Sequence, residues 1–170
     1  MRSWLANLLS YLPCDSTIIG PPRYIINSSP IFFRSQTLEC RKIGRIIPLL
    51  EEQTIARTPP LYADPAIKGL FDKMTTGISK EQFVVQLERG RYWGRSSGYI
   101  INSKDYLHRD ISPSFDDIGL EDPTSKRHDA MLQPLLPRIM HISGNIAAIN
   151  TLQSVNFHHW LLDCVPKFGL

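Results

Sequence analysis

The chain has 170 residues, 42% of them hydrophobic and 21% charged, with a formal net charge of +3. That length can bury a real core, and the composition excludes a disordered tail, a collagen-like repeat and a low-complexity linker. The small basic excess is spread along the chain, so it points to an ordinary solvated surface and no nucleic-acid partner.

Three cysteines, Cys14, Cys40 and Cys164, are too few and too irregular for a disulfide framework, and no CxxC pair offers a zinc site. Reduced thiols fit a cytoplasmic protein best. Near the start, Trp4, Leu5, Leu8, Leu9 and Leu12 recur at helical spacing and predict a short amphipathic helix. The run is too short and too interrupted for a signal peptide. Its Trp4–Leu8 face suits either packing on the domain or a peripheral contact with the inner face of a membrane.

From Pro13 to Pro30 turn residues alternate with brief apolar pieces. Ile18-Ile19, Tyr24-Ile25-Ile26 and Ile31 to Phe33 read as short strands. Ile43 to Leu50 is apolar, Thr54 to Pro65 reads as a loop, and Ala66 to Met74 as a short helix behind Asp64-Pro65. The clearest β region follows. Gln82 to Glu88, Arg91 to Gly94, Gly98 to Ile101 and Tyr106 to Asp110 predict a small antiparallel meander, with a turn at Asn102 to Asp105. Arg89, Arg91, Arg95, Tyr92 and Trp93 gather basic and aromatic groups there. They suit a sugar or a phosphate, but a wet sheet face with one or two aromatics tucked inward is the simpler reading. His108, His128 and His141 carry no mark of a special role.

Ser112 to Leu136 reads as a long polar connection with one helical turn at Lys126 to Met131. Asn145 to Ile149 then reads as a buried strand and Thr151 to Val155 as a loop. Asn156 is a helix cap, and Phe157 to Leu170 a helix that Pro166 should kink or end. Phe157 and Trp160 read as core, and Cys164 as a buried, inert thiol. On this helix His159 and Asp163 are four residues apart and share a face. Such a carboxylate can orient an imidazole for general-base work, or can simply lock the helix. Neighbouring His158 and His159 point about 100° apart and cannot easily bind one ion, so no metal is expected.

The segment Asn156-Phe157-His158-His159-Trp160-Leu161-Leu162-Asp163-Cys164-Val165-Pro166-Lys167 resembles the signature that opens the catalytic region of glycosyltransferase family 61. Asn156, Phe157, His159, Trp160, Leu161, Asp163 and Pro166 fit it. His158 stands where Tyr or Phe is usual, Val165 where Leu is usual, and Lys167 where Arg is usual. Gly144 to Ile149 is similar to the strand before the signature, and Gly90 to Ser112 to the β region upstream. The resemblance is strong over about the last 30 residues and looser from about Phe83.

The resemblance implies an α/β fold, a GT-B-like pair of Rossmann domains, of which this chain would hold an incomplete, N-terminal portion. Three regions are expected: 1–80 with mixed short elements, 81–143 with the meander and a long loop, and 144–170 as the start of the catalytic region. The implied activity is inverting transfer of a sugar from a nucleotide-sugar donor to a glycan or other hydroxyl acceptor, in capsule or lipopolysaccharide assembly. No cofactor and no metal would take part. His159 and Asp163 are the expected catalytic pair, His159 as the base or as a donor to substrate oxygens, with Asn156, Trp160 and Lys167 as substrate-binding residues. Because the chain stops on the first signature helix, the donor-binding half is expected to be missing and the chain alone to be inactive. The rival reading is a non-enzymatic β-rich module that binds glycans or cell-envelope partners.

Overall fold

The computed structural model describes residues 21–58, 75–94, 98–112, 114, 128–133, 136, 139–149, 151 and 156–169. The expected N-terminal helix, the Ile18-Ile19 strand, the 66–74 helix and most of the 151–155 loop lie outside these residues. The chain divides into two compact units, Met1–Arg45 with Gln86–Leu170, and Ile46–Val85. These units do not follow the expected division at 80/81 and 143/144.

In the first unit a four-stranded sheet carries the core. Its strands are β1 (Tyr24–Ile26), β6 (Arg91–Trp93), β7 (Tyr99–Ile101) and β8 (Tyr106–His108), in the order β1-β8-β7-β6. The meander β6-β7-β8 is antiparallel as its alternating pattern predicts, with Trp93 opposite Tyr99 and Ile101 opposite Leu107. β1 adds to it in parallel, Tyr24 opposite Tyr106 and Ile26 opposite His108. That long-range pairing has no local sequence signal. Tyr99, Ile101, Leu107 and Ala130 are buried together, and Ile25, Trp93 and Leu136 pack against them. Each large side chain so buried contributes about 2 kcal/mol.

The turn between β7 and β8 is fixed by Asn102. Its Oδ1 accepts from the Lys104 N–H (2.9 Å) and the Tyr106 N–H (3.2 Å). This is the local side-chain-to-backbone bonding that favours Asn in turns. Asp105, at φ 63°, completes the turn and pairs with Arg91 and, at 3.6 Å, with Arg23.

Two short helices precede the second unit. Ile31 to Phe33, expected as a strand, lies in α1 (Ser29–Arg34). An apolar run this short fits either periodicity, and the flanking residues decide: the Ser28 hydroxyl accepts from the Ile31 N–H at 3.3 Å, and Pro30 sits in the first turn, where its missing N–H costs nothing. α2 (Leu38–Ile43) starts at Thr37, whose hydroxyl accepts from the Cys40 N–H at 3.2 Å. Buried Cys40 takes a Thr37 hydroxyl bond at 2.9 Å and donates to the Phe32 carbonyl at 3.3 Å, tying α2 to α1. α2 ends at Gly44, where a Cβ would lie 2.1 Å from the Gln86 carbonyl oxygen, so no other residue fits.

β2 (Gly44–Leu50) pairs with β5 (Gln82–Leu87), not with the meander that the sequence suggested for residues 82–88. The division between units falls within these two strands. In the second unit β3 (Gln53–Ala56) pairs antiparallel with β4 (Thr76–Ser79), Gln53 opposite Ser79 and Ala56 opposite Thr76. Thr54 to Ala56, expected as loop, is therefore strand.

Asn145 to Ile149 is not the expected buried strand. It has no regular structure, and residues 145–148 are exposed. A strand exists only through a partner's N–H and C=O groups, and no described strand pairs with this segment. Of the expected turn at Lys126 to Met131, the described part is a 3-10 turn over Asp129–Leu132.

Candidate functional site

The signature segment begins at Asn156, whose Oδ1 accepts from the His158 N–H at 3.0 Å. One α-helical turn, α3 (Phe157–His159), widens into a π turn over Trp160–Cys164 and then tightens into a 3-10 helix over Val165–Gly169. Pro166 supplies the reason. It has no N–H for the Leu162 carbonyl, and its ring displaces that carbonyl from the ordinary ladder.

Within this segment the His159 Nδ1 and the Asp163 Oδ2 are 2.9 Å apart, with side chains 38% and 44% exposed. The carboxylate accepts from Nδ1–H, and in the neutral ring this leaves Nε2 as the acceptor nitrogen. The Phe157 and Trp160 rings stack at 6.3 Å and 24°. Neither is core: Phe157 is 72% exposed and Trp160 46%. The segment anchors through Cys164, which is fully buried, while its aromatic side faces solvent. Burial, and then the charge of Cys164 when ionised, raise the Tyr92 phenol above its ordinary value. Lys167 is exposed on the 3-10 helix. His158 and His159 meet edge to face at 90°, and no group of three or more metal-ligating side chains occurs among the described residues.

Arg91 is occupied by Asp105, Trp93 packs edge-on against Tyr99 at 5.1 Å, and Tyr92 is 51% exposed. Arg95 lies outside the described residues.

A second polar cluster was not legible in the sequence. His108, at the end of β8, is fully buried. Its Nδ1 lies 2.8 Å from the Ser29 hydroxyl, and its Nε2 lies 3.2 Å from the Asn102 amide nitrogen. Ser29 donates its hydroxyl to Asp110 Oδ1 and its N–H to Asp110 Oδ2, both at 2.7 Å. Since the Asn102 oxygen is taken by two backbone N–H groups, its NH₂ faces His108 and donates to Nε2. Nδ1 therefore carries the proton and donates to Ser29. Burial lowers the His108 pKa to about 4, so the ring is neutral. Burial also raises Asp110, against the lowering effect of its Ser29 bonds.

These are the residue types of a hydrolase triad in the wrong order. Ser29 stands between the imidazole and the carboxylate, and it is fully buried. The cluster is an architectural joint between α1 and the sheet. His128 is a second buried joint: Nδ1 accepts from the Ala130 N–H at 3.1 Å, and Nε2 donates to the Ser112 carbonyl at 2.8 Å. The one local hint was His108-x-Asp110 at a strand exit. The partner Ser29 is 79 residues away from His108 and carries no signal of its own.

No helix among the described residues is long and apolar enough to cross a membrane. No family model, no curated protein and no solved structure matches the chain.

Proposed function

We propose that the chain belongs to a glycosyltransferase resembling family 61, which moves a sugar from a nucleotide-sugar donor to a hydroxyl acceptor in polysaccharide biosynthesis. The observation that supports this reading is the His159–Asp163 bond, held in a half-exposed position within the Asn156-capped signature segment. In inverting transfer the acceptor oxygen attacks the anomeric carbon. The bond from that carbon to the diphosphate breaks, and the acceptor proton passes to a base. His159 Nε2 is that base in this reading. Asp163 holds the tautomer and stabilises the imidazolium that forms. The exposed Trp160 face offers a stacking surface for a sugar ring, and Lys167 a charge for the departing diphosphate. Lys in place of the usual Arg gives up bidentate contact.

The test is a sugar-transfer assay on the endogenous protein, purified at its native mass, with a panel of nucleotide sugars and wild type set against His159→Ala and Asp163→Asn. Loss of at least about 100-fold in His159→Ala, and a smaller loss with a displaced pH profile in Asp163→Asn, are expected. Transfer that ignores His159 overturns the assignment. Glycan binding without transfer from any donor replaces it with the β-rich binding module.

A further inference from the structure

We propose that the Asn102–His108–Ser29–Asp110 cluster is an acid-released latch that holds the N-terminal end of α1 on the four-stranded sheet. The inference rests on which atoms already carry protons and is independent of the transfer reading. Nδ1 of His108 is the donor to Ser29. A second proton can enter only at Nε2, and there it meets the NH₂ of Asn102. Asn102 cannot turn its oxygen round, because that oxygen holds the Lys104 and Tyr106 N–H groups and with them the β7–β8 turn. An imidazolium at this place faces a donor with a donor, in a site closed to water.

The groups around the ring leave one way out. α1 faces it with Ser29, Phe32 and Phe33, the Phe33 ring stacked at 5.7 Å and 7° and the Phe32 ring edge-on at 6.1 Å. β1 lies alongside with Ile26. The 102–105 turn contributes Asn102. Asp110, beyond Ser29, is the only ionisable group hydrogen-bonded into the cluster among the described residues. A charged His108 gains an anionic partner by taking Asp110, and Asp110 is held by both the N–H and the hydroxyl of Ser29. Exchange of that carboxylate from Ser29 to His108 detaches the first residue of α1. The lowered His108 pKa of about 4, against an ordinary 6.5, places the release between those two values.

Residue-resolved amide exchange on the full chain tests the latch. Between pH 7 and pH 5, after correction for intrinsic exchange, opening at the Ser29 and Phe32 amides should rise, by at most about twentyfold because the raised Asp110 works in the opposite sense, while the β6–β7 ladder keeps its protection. His108→Asn retains an N–H donor toward Ser29 and cannot take a proton, so its α1 amides should show no such rise. Flat protection in the wild type, loss of α1 and ladder in step, or the same rise in His108→Asn would each overturn the latch. Should His108→Asn fail to fold, the ring ¹⁵N shifts of the wild type decide. A proton on Nδ1 with no titration above pH 5 upholds it, and a proton on Nε2 or titration near pH 6.5 overturns it.

Discussion

His108 and His159 each have a side-chain oxygen within 2.9 Å of Nδ1, yet the two regions use the imidazole in opposite ways. His108 is sealed between α1 and the sheet, with both nitrogens occupied by Ser29 and Asn102. His159 lies on the C-terminal helical segment with its side chain 38% exposed and Nδ1 tied to Asp163. The difference teaches that burial and the count of filled hydrogen-bond positions, not the identity of the residues, separate a sealed histidine from one open to solvent.

Four measurements break or sharpen this contrast. The largest effect is expected from His108→Ala, which leaves a cavity and strands the buried Asn102 amide. Chemical denaturation should show a loss of about 3–4 kcal/mol, enough to unfold a marginal domain. If His108→Ala costs less than about 1 kcal/mol, the joint is not architectural.

Acid comes next. Because the folded His108 pKa is lowered to about 4, its stabilising effect is complete above pH 6.5 and is lost as pH falls from 6.5 toward 4. The loss reaches about 3 kcal/mol at the acid end. Asp110 has the opposite sign: its raised pKa favours the fold at low pH and fades as pH rises through its folded value. Denaturation midpoints measured in an Asp110→Asn background, which removes that opposing carboxylate, should therefore fall below pH 6.5 and flatten near pH 4. A curve level from pH 7 to pH 4.5 in that background would remove His108 from its neutral, buried role.

Asn156→Ala should cost about 1 kcal/mol through the lost cap, seen as faster exchange of the His158 amide with the sheet unaffected. The smallest effect belongs to Asp163→Asn. An exposed pair of this kind contributes little, so stability should change by less than about 0.5 kcal/mol, while the proposed transfer, if His159 is its base, should fall. A loss above 2 kcal/mol would make the His159–Asp163 pair a second architectural joint and would erase the contrast.

Where information is local, the sequence was readable. The meander, the Asn102 turn and the Asn156 cap depend on residues within a few positions of one another. So does the shared face of His159 and Asp163. Ile31 to Phe33 was misread because three apolar residues fit either period, and the deciding Ser28 and Pro30 lie at the run's edge. Phe157 and Trp160 looked like core, since apolar character alone does not say which side of a helix is covered. The resemblance of residues 156–167 to a transferase signature also belongs to the local text, and it needs no contact to be seen.

The sequence by itself determined the turns, caps, strand alternation and the pairing of His159 with Asp163, because each is a matter of short-range backbone and side-chain geometry. Only the tertiary structure decided that β1 pairs in parallel with β8, that Asn145 to Ile149 stays unpaired, and that His108 is buried against Ser29. Those outcomes depend on which distant segments supply hydrogen-bond partners and exclude water, and no short stretch of sequence carries that information.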